Sequence, residues 1–177
     1  MEIDPKAKFY YDEDIEGVRL VTDVEHIYEI RKRLGENIKG PEGQFAAMWF
    51  VSLSNERFKN VLKNPYYVAP KPCGRRYMLY VGAKGEVFLE DHSQHVFQLQ
   101  DEQKTQFLSR DGNSITDTVL DGILTRAKSN TTEDGSDIDN ANKQKLTFVI
   151  MDAARCNGQD LTKMSVVDRM ACIKVSR

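Results

Sequence analysis

The chain has 177 residues, of which 40% are hydrophobic and 29% charged, and its formal net charge at pH 7 is −2. This composition excludes a disordered tail, a collagen-like fibre and a protein that coats nucleic acid through general basic charge. No apolar run approaches the roughly 18 residues of a membrane span, and the acidic N-terminus does not resemble a signal peptide. The three cysteines have no metal-like spacing, which indicates free thiols in a reducing compartment.

The first part of the chain predicts an acidic leader followed by a helix. Residues 1–16 are expected to be mobile and to have little to bury. A helix is predicted over residues 23–34, because Thr22 and Glu25 fit a capping box and Gly35 fits a left-handed C-terminal residue. Its expected buried face comprises Val24, Ile27, Tyr28 and Leu34.

A second helix and three short strands come next. The helix is predicted to begin at Ser54, a suitable N-cap, and to end at residue 64 before a proline. β-rich runs at residues 76–81, 85–89 and 95–99 predict strands, and the first two are joined by a glycine-bounded hairpin turn.

The second half of the chain completes an α+β pattern. Strands are predicted at residues 116–125 and 146–151, with residues 129–144 as a polar, acidic loop insertion between them. Residues 161–175 carry apolar side chains at helical spacing. The order of elements therefore predicts helices around a central antiparallel sheet.

Charge is distributed unevenly along the chain. Residues 57–76 contain six basic side chains and no acidic one: Arg57, Lys59, Lys63, Lys71, Arg75 and Arg76. Residues 129–142 contain four acidic side chains and no basic one. The basic segment is suited to phosphates and the acidic segment repels them, although an ordinary solvated surface also explains each run.

Lys71 stands in a loop bounded by prolines and a glycine, directly before a predicted strand and two arginines. Covalent nucleotidyl transfer uses such an amine, which attacks an α-phosphate while neighbouring arginines hold the ribose or the phosphates. Taken alone, these residues indicate an ordinary solvent-exposed lysine in a loop rather than a nucleophile.

The line KPCGRRYMLYV, residues 71–81, resembles the nucleotidyl-acceptor motif of eukaryotic mRNA capping enzymes, K-x-D-G-x-R followed by Y-M-x-x. Other segments resemble further parts of that family in the same order: residues 40–71, 85–99, 118–122, 148–152 and 166–173. The resemblance covers roughly residues 17–173. It implies a partial nucleotidyltransferase domain of the ATP-grasp/DNA-ligase-like type over residues 17–177, with a twisted antiparallel sheet and no OB-fold domain.

The resemblance also implies a site. Lys71 matches the lysine that forms a phosphoamide with GMP, and Arg76 matches the arginine that contacts the ribose. The implied nucleotide-binding set is Gly74, Arg75, Arg76, Asp121, Gly122, Met151 and Asp152. The substrate would be GTP, with Mg²⁺ or Mn²⁺ if the chain is active. No metal ligands are predicted within the chain, and His92 and His95 are expected to be surface side chains on opposite faces of a hairpin.

The chain departs from the family pattern at three positions near this site. Cys73 replaces the motif aspartate, Ile123 replaces a glutamate, and Met151 replaces an aromatic residue that stacks on guanine. The chain also ends soon after Val175, where the family continues with an acidic metal-binding motif, a lysine-rich strand and the OB-fold domain. These differences predict that self-guanylylation is very slow or absent.

Three functions remain open from the sequence. The first is a guanylyltransferase that passes GMP from Lys71 to the 5′-diphosphate end of RNA. The second is a catalytically inactive module that binds a cap or an RNA 5′ end, and the third is a scaffold that acts with a capping or methylation partner. The implied partners are a guanine nucleotide or an RNA 5′ end, with a capping-complex or RNA polymerase II partner and no membrane or DNA. The implied location is nuclear or cytoplasmic, with the nucleus favoured.

Overall fold

The computed structural model describes residues 4–11, 13–36, 38, 52–100, 113–127 and 145–172. Within them the chain forms strands β1 (Val18–Leu20), β2 (Arg75–Val81), β3 (Val87–Asp91), β4 (Val96–Leu99), β5 (Thr118–Ala127), β6 (Lys145–Cys156) and β7 (Gln159–Asp160), and helices α1 (Val24–Gly35), α2 (Asn55–Lys63) and α3 (Val166–Cys172). The predicted insertion at residues 129–144 lies outside the described residues.

The strands form one sheet in the order β1-β4-β3-β2-β5-β6-β7, and each neighbouring pair is antiparallel. The predicted central antiparallel sheet is therefore confirmed. Strand β2 lies at its centre, and Tyr77–Val81 is buried at every position. Burial on both faces explains why this strand is an almost continuous apolar run rather than an alternating one.

The two faces of the sheet are covered by different parts of the chain. Helix α1 buries Ile27, Ile30 and Leu34 against one face. The other face is covered in part by Phe9 and Tyr10, which are each 6% exposed. The expectation that residues 1–16 have little to bury is wrong for these two rings, because they cover apolar side chains of the sheet.

The N-terminus of α1 differs from the prediction by one residue. The Oδ1 atom of Asp23 accepts a hydrogen bond of 2.8 Å from the backbone N–H of His26, so Asp23 rather than Thr22 is the N-cap. At the other end Gly35 lies inside the helix and Glu36 is the C-cap with φ −52°. The predicted left-handed glycine is therefore wrong.

The buried stripe of α1 was only partly predicted. Ile27 and Leu34 are buried as expected, but Val24 and Tyr28 are 66% and 71% exposed, and Ile30 takes their place. Because positions 27, 30 and 34 are three and four residues apart, they form one face towards the sheet.

The other predicted boundaries vary in accuracy. Ser54 caps α2 as predicted, through a hydrogen bond from the backbone N–H of Arg57. The hairpin turn between β2 and β3 is also confirmed, with Gly85 at φ +86° where a side chain would be strained. Helix α3 begins later than residue 161, because Ser165 accepts a hydrogen bond from the backbone N–H of Asp168 and so caps the helix. No helix in the described part of the chain is long and apolar enough to cross a membrane.

A buried ion pair joins α1 to the sheet. Glu90 of β3 is 1% exposed, and its Oε1 atom lies 2.8 Å from Nε of Arg31. Burial raises the pKa of Glu90 to about 7, and the positive charge of Arg31 opposes this rise only in part. The folded chain therefore binds more protons than the unfolded chain between the unfolded pKa of about 4.3 and pH 7.

We expect the free energy of unfolding to fall as the pH rises through this window, because the folded state must then carry a buried negative charge. Urea unfolding at about pH 5 and about pH 8 measures how far the free energy of unfolding falls between these two pH values. The fall should be smaller by about 2 kcal/mol in Glu90→Gln than in the unmodified chain. Glu29→Gln, at an exposed position of α1, is the control and should leave the pH dependence as it is. An unchanged pH dependence in Glu90→Gln would contradict this account.

Candidate functional site

The loop that carries Lys71 ends by packing against strand β5. Lys71 and Cys73 are exposed, and the thiol of Cys73 is free. The hydroxyl of Thr125 donates a hydrogen bond of 2.6 Å to the carbonyl oxygen of Cys73. A Cβ atom on Gly74 would clash with the backbone of Leu124 and lie 2.8 Å from Cγ2 of Ile123. Glycine is therefore required at residue 74 for the loop to approach β5 this closely.

Arg76 and Asp121 come together although they are 45 residues apart. Their strands pair so that Arg76 stands opposite Ile123 and Met78 opposite Asp121. Nε of Arg76 donates to Oδ1 of Asp121 at 2.9 Å, and Nη2 contacts Oδ2 of the same carboxylate. The pair is bidentate and mostly shielded, with side chains 19% and 11% exposed. Such a charge-assisted pair fixes the plane of the guanidinium.

Asp152 lies directly opposite Asp121 in the pairing of β5 with β6. Its two oxygens accept hydrogen bonds of 2.7 Å from Nε and Nη2 of Arg169 in α3. The same arginine donates from Nη1 to the carbonyl oxygen of Met164 at 2.7 Å. The hydrogen bonds to Asp152 raise the pKa of Arg169. Sequence reasoning missed Arg169, since nothing local marks a helical arginine 17 residues beyond its partner.

Two carboxylates that face each other across neighbouring strands would repel. Here each carboxylate is compensated by its own arginine, Asp121 by Arg76 and Asp152 by Arg169. We call these four residues the Arg–Asp cluster. Its net charge is zero, and it joins β2, β5, β6 and α3 in one arrangement.

A bulge and a close contact shape the strands beside this cluster. The register shifts so that Asp152 faces Asp121 and Ile150 faces Gly122, which leaves Met151 as the extra residue of a β-bulge. Met151 is half-buried there. A Cβ atom on Gly122 would lie 2.6 Å from the carbonyl oxygen of Val149 and would overlap the ring of Phe148. Gly122 therefore allows β5 and β6 to approach.

Arg75 is not part of the Arg–Asp cluster. Successive residues of a strand point to opposite faces, and the Nη2 atom of Arg75 lies 3.0 Å from Oδ2 of buried Asp91. Its Nη1 atom donates to the carbonyl oxygen of Lys8 at 2.9 Å. Asp91 also lies 3.2 Å from Nδ1 of His95, which is half-buried. The expectation that His95 is a surface side chain is therefore wrong, whereas His92 is exposed.

The described part of the site does not fit Mg²⁺ or Mn²⁺ in this arrangement. Both carboxylates of the Arg–Asp cluster are engaged by arginines. Among the described residues there is no group of three His, Cys, Asp or Glu side chains that could hold a metal ion. A divalent cation of this kind needs several oxygen ligands at once.

Residues 11–176 match the family described as "mRNA capping enzyme, catalytic domain". The chain is also 25% identical over 171 residues to a protein of Danio rerio described as "mRNA-capping enzyme". That similarity covers 95% of this chain and 26% of the zebrafish protein. The chain thus spans about a quarter of the length of the curated relative it matches.

Proposed function

Because the chain belongs to the family of mRNA capping enzyme catalytic domains, we propose that it is a guanylyltransferase-like domain that binds a guanine nucleotide beside the Arg–Asp cluster. The single observation that carries the proposal is the bidentate contact of Arg76 with Asp121. Both residues belong to motifs that resemble the nucleotide-binding motifs of the family. A role in mRNA capping is consistent with a nuclear location.

In the proposed reaction, which is expected to be very slow in this chain, Lys71 is the nucleophile. Its amine attacks the α-phosphorus of GTP, a P–N bond forms, the bond to the β-phosphate oxygen breaks, and pyrophosphate leaves. The protonated lysine loses one proton to solvent before the attack and a second as the phosphoamide forms, so that one N–H remains. A terminal oxygen of a 5′-diphosphate RNA then attacks the same phosphorus, the P–N bond breaks, and the amine is protonated again.

The Arg–Asp cluster supports the binding half of this proposal. A guanidinium held in one plane by a carboxylate needs little reorganisation to meet the ribose or a phosphate oxygen, and it is a better bidentate donor than a lysine. Asp121 fixes the guanidinium of Arg76 in this way. Arg169 fixes the carboxylate of Asp152. Mg²⁺ or Mn²⁺ has no assigned ligands in the proposal.

Isothermal titration with GTP and with a cap analogue is expected to give weak binding, with a dissociation constant of about 1 mM or below. Arg76→Lys keeps the positive charge but loses the planar guanidinium that can donate two parallel hydrogen bonds, so binding should weaken about tenfold or more. Arg19→Ala, at an exposed position of edge strand β1, is the matched control and should bind as the unmodified chain does. The absence of heat for the unmodified chain at millimolar GTP would overturn the proposal.

A further inference from the structure

Three aromatic rings are exposed on the segment that precedes Lys71. Phe58 of α2 is 48% exposed, and Tyr66 and Tyr67, which follow this helix, are 57% and 74% exposed. By contrast, the aromatic side chains of the sheet strands β2, β3 and β4 are buried. These three rings lie within ten residues of the chain, and exposed apolar groups that form one patch mark a binding surface.

The same segment is basic, and its cations are exposed, with Nη1 of Arg57 donating a hydrogen bond of 2.9 Å to the carbonyl oxygen of Ser52. Arg57, Lys59 and Lys63 are exposed, and none of them forms an ion pair with any of the described residues. Glu56 is the one acidic side chain in the sequence from residue 52 to residue 74. We call Arg57, Phe58, Lys59, Lys63, Tyr66 and Tyr67 the aromatic–basic strip.

Helix α2 places these side chains in a definite order. Residues three and four apart share a face of a helix, so Phe58 and Leu62 form one apolar row and Lys59 and Lys63 form a basic row beside it. None of the residues of α2 is buried. The chain then continues through Tyr66 and Tyr67 without regular structure to Lys71. The strip therefore leads directly to the proposed nucleophile.

We propose that the aromatic–basic strip binds single-stranded RNA next to the 5′ end that Lys71 acts on. Proteins that bind single strands without sequence preference combine aromatic side chains, on which bases stack, with cations that track the backbone. The strip has both components within ten or so residues of the chain. The inference deepens the proposed function, and it rests on that function for the identity of the 5′ end.

Charge and position favour RNA over a protein partner. A polynucleotide carries a phosphate at each residue, which suits a surface whose cations flank aromatic rings. A 5′ end that reaches Lys71 must also have the rest of its strand beside the loop, and the strip is the part of the chain that directly precedes this loop. An acidic peptide would use the charges and gain little from stacking.

Fluorescence anisotropy with a 5′-hydroxyl, fluorescein-labelled oligouridylate of about 12 nucleotides tests this directly. The variant Tyr66→Ala/Tyr67→Ala should bind at least about fivefold more weakly, because stacking is lost. The variant Lys59→Ala/Lys63→Ala should lower the slope of log K against log salt by about 1.4, since two phosphate contacts are lost.

The matched controls are Tyr28→Ala, 71% exposed on α1, and Lys32→Ala/Lys84→Ala at exposed positions elsewhere. The controls should bind within about twofold of the unmodified chain.

The outcomes separate this inference from the proposed function. Equal binding of the oligouridylate by all variants would overturn the inference, and so would equal competition by polyglutamate, which would indicate a peptide surface.

GTP titration of the tyrosine variant should match that of the unmodified chain, because Tyr66 and Tyr67 lie outside the Arg–Asp cluster. RNA binding that depends on the strip in a chain that fails to bind GTP would overturn the proposed function and leave the RNA surface standing. Far-ultraviolet circular dichroism and the melting temperature check that each variant folds, as expected for exposed side chains.

Discussion

Incubation of the chain with α-labelled GTP and Mg²⁺ or Mn²⁺ is expected to leave no detectable label at Lys71, whereas Cys73→Asp combined with Ile123→Glu should give a labelled band. Loss of one group that stabilises developing charge slows a reaction about 10²–10³-fold, and two such groups differ here from the family pattern. Ile123 is 2% exposed and stands opposite Arg76. The carboxylate of a glutamate at this position would therefore lie beside the guanidinium of Arg76. Denaturing electrophoresis separates the covalent adduct from bound nucleotide.

Lys71→Ala is the control for this experiment in both backgrounds, because the nucleophile is then absent. Lys84→Ala, in the exposed hairpin turn, is the matched lysine control and should keep any label. A band from the unmodified chain that disappears in Lys71→Ala would contradict the expectation of slow transfer and would establish an active guanylyltransferase. A double variant that stays without label would show that restoring these two side chains is not sufficient.

Gly122→Ala is expected to lower the free energy of unfolding by about 2–3 kcal/mol, because overpacking forces neighbouring groups to move. The new Cβ atom would overlap the ring of Phe148 and lie 2.6 Å from the carbonyl oxygen of Val149. The latter is a backbone atom within the β5–β6 ladder and has little freedom to move. Urea unfolding followed by circular dichroism measures the change.

Two further variants show whether the effect arises from this contact. Adding Phe148→Leu to Gly122→Ala should recover part of the loss, because the clashing edge of the ring is removed while the clash with Val149 remains. Gly35→Ala has nothing within 4 Å of its new Cβ atom, and should raise stability by about 0.5–1 kcal/mol through helix propensity. A Gly122→Ala variant as stable as the unmodified chain would show that β5 and β6 can separate locally at no cost.

The sequence predicted the central strands well because their signals are local. β-branched and aromatic runs separated by a glycine turn predicted β2, β3 and β4 to within two residues at each end. Strands β1 and β7 were not predicted, because three-residue and two-residue strands carry no periodicity of their own. The burial of Phe9 was missed for a related reason, since the sheet face that it covers forms only in the folded chain.

The site was predicted unevenly for the same physical reason. The resemblance to the capping-enzyme family, confirmed by the match over residues 11–176, identified Arg76, Asp121 and Asp152, which the fold brings together. It did not identify Arg169, whose role depends on where α3 packs. Only Arg76 matches the motif arginine, and the alternation of side chains along β2 places the guanidinium of Arg75 on Asp91 and that of Arg76 on Asp121. Binding of nucleotide by any of these residues stays a prediction.

The position of β2 in the sheet has a consequence for synthesis of the chain. β2, β3 and β4 are joined by short turns and can pair as soon as they leave the ribosome, but the second neighbour of β2 is β5. Until β5 is made, the edge of β2 that will carry the Arg76–Asp121 contact presents unpaired N–H and C=O groups, which are templates for wrong strands. The nascent chain must then add β6 and Arg169 of α3 before the cluster is complete. A chain released early is therefore expected to expose the unpaired edge of a three-stranded sheet and to be bound by chaperones, rather than to form a partly active domain.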